Sequence, residues 1–156
     1  MFKYPTATVL EICSSQNLPS YLKKYVLMEA NIKDKFIQIT WLAQPKSEDF
    51  RETNTSALYF VLKHYITKWL FNMRGMVYLE IADQIWLVRE IFSSLDPKYS
   101  HFLAYLVSTA GLESMSSFRI HELVTNDPQL DKQISAEIFF QKQMALEWLF
   151  EAQKIS

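Results

Sequence analysis

The sequence predicts an all-α fold, a single compact bundle of about six to eight helices over residues 1–156. Three observations carry that expectation. Four Trp, eight Tyr and eleven Phe stand against only two Gly in 156 residues, which means much bulky apolar surface and few permissive backbone positions. Proline, glycine and capping residues divide the chain into helix-length pieces. The two most strongly patterned segments repeat apolar residues at three- and four-residue spacing.

The elements follow in order. Residues 6–15 suit a short first helix, and Asn17 can cap a second running to about Ala30, with Pro19 in its first turn. Phe36-Ile37-Gln38-Ile39-Thr40-Trp41-Leu42 has the β-branched and aromatic content of a strand. A lone strand would have no partner in a helical chain, so helix is the consistent assignment. Residues 44–53 are polar and contain a proline, the pattern of an exposed loop. From Thr55 to Arg74, Leu58, Leu62, Tyr65, Ile66, Trp69, Leu70 and Met73 share one helical face. From Met76 to Ser94, Tyr78, Ile81, Ala82, Ile85, Val88 and Phe92 do the same. Gly75 separates the two and reads as a reversal, because one helix of about 40 residues would span roughly 60 Å. Asp96-Pro97 signals a helix start and Gly111 its stop, giving a helix over 97–110. Ser116 or Ser117 can cap a short helix to Thr125. Asp127-Pro128 opens a last helix over about 128–154.

Composition narrows the class. Hydrophobic residues make up 49% and charged residues 21% of the chain, the range of an ordinary globular protein rather than a disordered one. The net charge of −1 gives no global pull toward nucleic acid or anionic membrane. Residues 1–78 hold ten Lys and Arg against six Asp and Glu, and residues 79–156 hold six against eleven, so the chain has a basic and an acidic half. Cys13 is the single cysteine; it has no disulfide partner and reads as a small buried hydrophobe in a reducing compartment. No apolar run reaches the length of a membrane span. Pro5 and Glu11 interrupt the apolar stretch a signal peptide needs. The expected location is cytoplasmic.

Chemistry-bearing patterns are sparse. His64, His101 and His121 share no helical face at ligand spacing with each other or with Cys13, so neither metal nor cofactor is expected. Two glycines cannot build a phosphate-cradling loop. Glu80 and Asp83 stand three residues apart and, with His64, form the best acid/base set the sequence offers, although such carboxylates more commonly make solvated or paired stripes. Leu106, Ala110, Gly111, Leu112 and Ile120 fit a degenerate helix-turn-helix over 97–124. Val107 and Ser117 depart from that pattern, and acidic neighbours oppose phosphate binding. Lys23, Lys24, Lys33 and Lys35 are the other basic cluster.

The aromatic and methionine excess matches the cores of protein interfaces. The expected function is therefore a non-enzymatic protein–protein interaction domain: an adaptor, regulatory subunit or neutralising partner, accepting an amphipathic helix of another protein or a second copy of itself. Tyr21, Tyr25, Phe36, Trp41, Trp86 and Trp148 are its candidate lining residues. A nucleic-acid-binding regulator is the alternative, followed by an enzyme with a concealed acid/base site.

Overall fold

The computed structural model describes residues 25–109 and 111–155, with side chains to 151, and its centre is a five-stranded sheet. Strands β1 (Val26–Asn31) and β2 (Phe36–Trp41) form an antiparallel hairpin, Val26 opposite Trp41 and Asn31 opposite Phe36. Helix α1 (Ser47–His64) leads to β3 (Lys68–Asn72). Helix α2 begins at Ile81–Trp86 and continues through a π-helical turn, Leu87–Ile91, into a 3₁₀ turn, Phe92–Ser94. Strand β4 (His101–Leu106), helices α3 (Leu112–Thr125) and α4 (Pro128–Gln133), strand β5 (Ile134–Phe139) and helix α5 (Lys142–Ile155) complete it.

The spatial order is β1-β2-β3-β4-β5, and β2 to β5 are mutually parallel. Every crossover therefore steps the same way along the sheet. Right-handed crossovers that never change direction put all their helices on one face. The core agrees. Ile37, Ile39, Trp41, Trp69, Phe71, Leu103 and Tyr105 pack with residues of α1, α2, α3 and α4 in one cluster. The alternate positions Phe36, Leu70, Phe102, Ala104 and Leu106 pack under Ala145, Leu146 and Leu149 of α5. The period of two along each strand sorts the residues between the layers.

This α/β sandwich corrects the all-α expectation. Segment 36–42 holds β2, and the strand has partners because four other expected helices also contain strands. β3 lies inside the stretch read as a helix to Arg74, β4 inside 97–110, and β5 inside 128–154, while Val26–Asn31 of the expected second helix is β1. The physical reason is burial on both faces. Lys-Trp-Leu-Phe-Asn and His-Phe-Leu-Ala-Tyr-Leu are buried at every position, so they show no polar alternation and mimic an apolar helical run. Residues 44–53 are only partly loop, since α1 begins at Ser47 and buries Phe50. The Asp127-Pro128 start is real: the Asp127 carboxylate accepts from the N–H groups of Gln129 and Leu130. Asp96-Pro97 instead makes a turn, in which Asp96 accepts from the Lys98 N–H at 3.0 Å. Cys13, Tyr21, Lys23 and Lys24 lie outside the described residues, as do the expected helix over 6–15 and the start of the one capped by Asn17. No described helix is long and apolar enough to cross a membrane.

Candidate functional site

The carboxyl ends of β2 and β3 and the first turn of α3 meet at one end of the sheet. Gly75, in the loop after β3, lies against the end of β2, where any β-carbon would overlap the Trp41 carbonyl. That close approach explains glycine at this position. Gln44, from the loop after β2, then clasps the same loop. Its Oε1 accepts from the N–H of Val77 at 2.7 Å and of Tyr78 at 3.2 Å, and its Nε2 donates to the Tyr78 carbonyl at 3.0 Å. On the other side the Leu79 N–H donates to Ser116 Oγ of α3 at 3.1 Å. Gln84 Nε2 donates to the Leu79 carbonyl at 2.7 Å.

With its backbone pinned on both sides, the loop turns apolar side chains outward. Val77 is 56%, Tyr78 44% and Ile81 58% exposed, beside Leu42 at 54%, Leu112 at 57% and Met115 at 54%. Isolated exposed apolar residues are normal, but several gathered along one rim mark an interaction surface. At the sequence level Tyr78 and Ile81 fall on the expected inner face of a helix starting at 76. The helix starts instead at Ile81, so Tyr78 never joins that face. No local signal marks the six as a group, because they come from three separate loops and helix starts.

Behind the rim lies a pocket of about 130 Å³ lined by Gln44, Lys46, Ser47, Tyr78, Glu80 and Asp83, among others. Asp83 is buried and accepts from Ser47 Oγ at 2.7 Å and from Arg51 Nε at 2.9 Å. The Arg51 guanidinium also sits 5.2 Å from the Trp86 ring centroid. Asp83 is thus the anchor of a clasp between α1 and α2. Glu80 shares the pocket, with the Tyr78 hydroxyl 3.4 Å away. His64, the third member of the expected acid/base set, ends α1 and packs tilted against the Phe60 ring, centroids 4.4 Å apart. Since α1 starts at the pocket and rises about 1.5 Å per residue, His64 stands roughly 25 Å away. The three groups do not converge. A pocket this size is also below the roughly 300–1,000 Å³ of small-molecule sites. The winding accounts for that, because ligand crevices in open α/β sheets form where the strand order reverses, and here it does not.

The interface candidates read from sequence are scattered. Phe36 and Trp41 are buried, on opposite faces of the sheet. Trp86 is half-buried, edge-on to Phe50 at 6.3 Å. Trp148 is half-buried in the α5 layer against Phe102 and Phe139. Tyr25 is half-buried ahead of β1. A helix-turn-helix over 97–124 has no first helix, since β4 occupies that place. Among the described residues no three His, Cys, Asp or Glu side chains gather as metal ligands would. The chain matches no family model, and no curated protein or solved structure is detectably similar to it.

Proposed function

We propose that the chain is a non-enzymatic protein–protein interaction domain whose working surface is the rim formed by Leu42, Val77, Tyr78, Ile81, Leu112 and Met115. The carrying observation is that these six are each at least 44% exposed and that the loop at their centre, Val77 to Leu79, has its backbone held by Gln44 and Ser116. A surface ordered before binding loses little conformational entropy on association, so more of its apolar burial becomes affinity. Its occupant would be an amphipathic helix of a partner protein, laying its apolar face along the rim.

The test uses charge. Ile81→Glu and Met115→Glu are exposed substitutions that leave the core intact, so the double variant keeps its circular dichroism and melting temperature. Both proteins are used to capture partners from the native cell under matched conditions. One protein recovered in stoichiometric amount by the unsubstituted chain, and lost by at least tenfold with the variant, supports the rim. Equal recovery by both excludes it. Concentration-dependent self-association abolished by the same pair would make a second copy the occupant.

A further inference from the structure

At the opposite end of the sheet, two backbone positions are strained. Among the described residues, Lys35 at φ 57° and Tyr65 at φ 56° are the non-glycine residues in the left-handed region, and no described glycine occupies it. Lys35 closes the β1–β2 hairpin, its N–H donating to the Ile32 carbonyl at 3.1 Å. Tyr65 caps α1, its N–H directed to the Val61 carbonyl. Glycine is the usual occupant of both kinds of position, because a β-carbon is disfavoured there. Backbone strain of this sort concentrates at sites where a side chain is needed for something else.

The two loops touch. The Lys35 carbonyl accepts from the N–H groups of Thr67 at 3.1 Å and Lys68 at 3.0 Å. A third loop brings Tyr99, whose ring lies edge-on to Tyr65 at 6.1 Å, with Lys35 Nζ 5.9 Å from its centroid. Tyr65 is 56% and Tyr99 37% exposed, so core packing does not account for their rings. Lys33, Lys63 and Lys98, all exposed, stand within two residues of this trio. The nearby Asp34 and Asp96 carboxylates are engaged in their own turns, with Asn31 and with the Lys98 N–H. Four lysines against two carboxylates leave this end positive.

We propose that Lys35, Tyr65 and Tyr99 form a platform for single-stranded nucleic acid. Bases stack on the two tyrosine rings while phosphates meet Lys33, Lys35, Lys63 and Lys98. Exposed rings within a cationic rim favour this occupant over an acidic peptide, which would use the charge and leave the rings idle. The platform lies at the far end of the strands from the protein-binding rim and stands independently of it.

Fluorescence anisotropy of the full chain with a labelled ten-nucleotide oligouridylate tests the proposal, with an oligoglutamate of equal charge and phosphatidylserine vesicles as competitors. Engaging four lysines predicts that log K falls against log salt with a slope of roughly −3, and Lys33→Gln brings it to roughly −2. Tyr65→Gly relieves the left-handed strain while removing a ring. It should therefore melt no lower than the parent protein, yet bind the oligonucleotide about tenfold more weakly, the loss of one stacked base. Tyr99→Leu should lower affinity similarly. Absence of binding at 50 mM salt, equal competition by oligoglutamate or vesicles, or unchanged affinity in Tyr65→Gly would each overturn the proposal.

Discussion

Tyr105 lies in the middle of the face covered by α1 to α4, stacked at 5.7 Å on Phe71, which in turn stacks at 5.2 Å on Trp69. This row of rings crosses two neighbouring strands, Phe71 and Tyr105 being paired directly. Yet the Tyr105 hydroxyl is buried without a hydrogen-bond partner, and burial pushes its ionisation far above the ordinary tyrosine range. An unpaired buried hydroxyl costs about 1–3 kcal/mol. Tyr105→Phe keeps the ring and removes that cost, so thermal melting should rise by about 2–4 °C per kcal/mol recovered; a fall would mean the hydroxyl has a partner after all. His101 presents a titratable counterpart. It is buried at the start of β4, its Nε2 lies 2.8 Å from the Asp96 carbonyl, and Nδ1 has no partner. A carbonyl can only accept, so Nε2–H is the donor. Burial lowers its pKa below the usual 6.5, outweighing the Asp96 hydrogen bond and charge that raise it. Below about 6.5 the unfolded chain then binds a proton that the folded chain does not, so stability falls with acidification until the folded imidazole also protonates. Urea midpoints between pH 7.5 and 5 should decline more steeply for the parent protein than for His101→Phe. Parallel slopes would remove His101 as the cause.

Among the elements, the connections at the carboxyl end are the most exacting. Gly75 and Gly111 both lie close to other atoms, but the obstacles differ. A β-carbon on Gly75 meets the Trp41 backbone, whereas one on Gly111 meets the Glu113 carboxylate, which is a side chain able to rotate. Gly75→Ala must push the loop off β2 and strain the Gln44 clasp, at a cost of about 2–4 kcal/mol. Gly111→Ala should cost less, chiefly the 2.8 Å bond from the Ser108 N–H to Glu113. Chemical denaturation of both variants gives the ranking directly, and an equal or reversed order would show that the loop after β3 yields freely. Helix boundaries were legible where a cap carries its own chemistry, as at Asp127-Pro128. They were illegible where a strand took over mid-pattern, because Trp69, Leu70 and Phe71 fit a helical stripe and a doubly buried strand equally well.

Considered whole, the molecule offers two surfaces at opposite ends of its strands. The six residues of β2, Phe36–Trp41, separate them by roughly 17–20 Å, about two Debye lengths at physiological salt. Charges introduced at the rim by Ile81→Glu and Met115→Glu should therefore change oligonucleotide affinity at the other end by less than about twofold at 0.15 M salt. Anisotropy titration of the double variant measures this, and a larger shift would mean that the two ends are coupled. Of these surfaces the sequence hinted at little. Lys33 and Lys35 were visible as a basic cluster, but Tyr65 and Tyr99 join them only through folding. Of the tryptophans that looked like interface residues, Trp41 is buried and Trp86 and Trp148 are half-buried, because a sheet covered by helices on both faces has two layers to fill with large side chains. By itself the sequence determined a globular, aromatic-rich, nearly neutral chain, the helix start at Asp127-Pro128 and an absence of phosphate-loop motifs. Only the tertiary structure decided that four apolar stretches lie side by side as parallel strands. That pairing joins residues tens of positions apart, and its hydrogen bonds run between segments, so neither local propensity nor spacing records it.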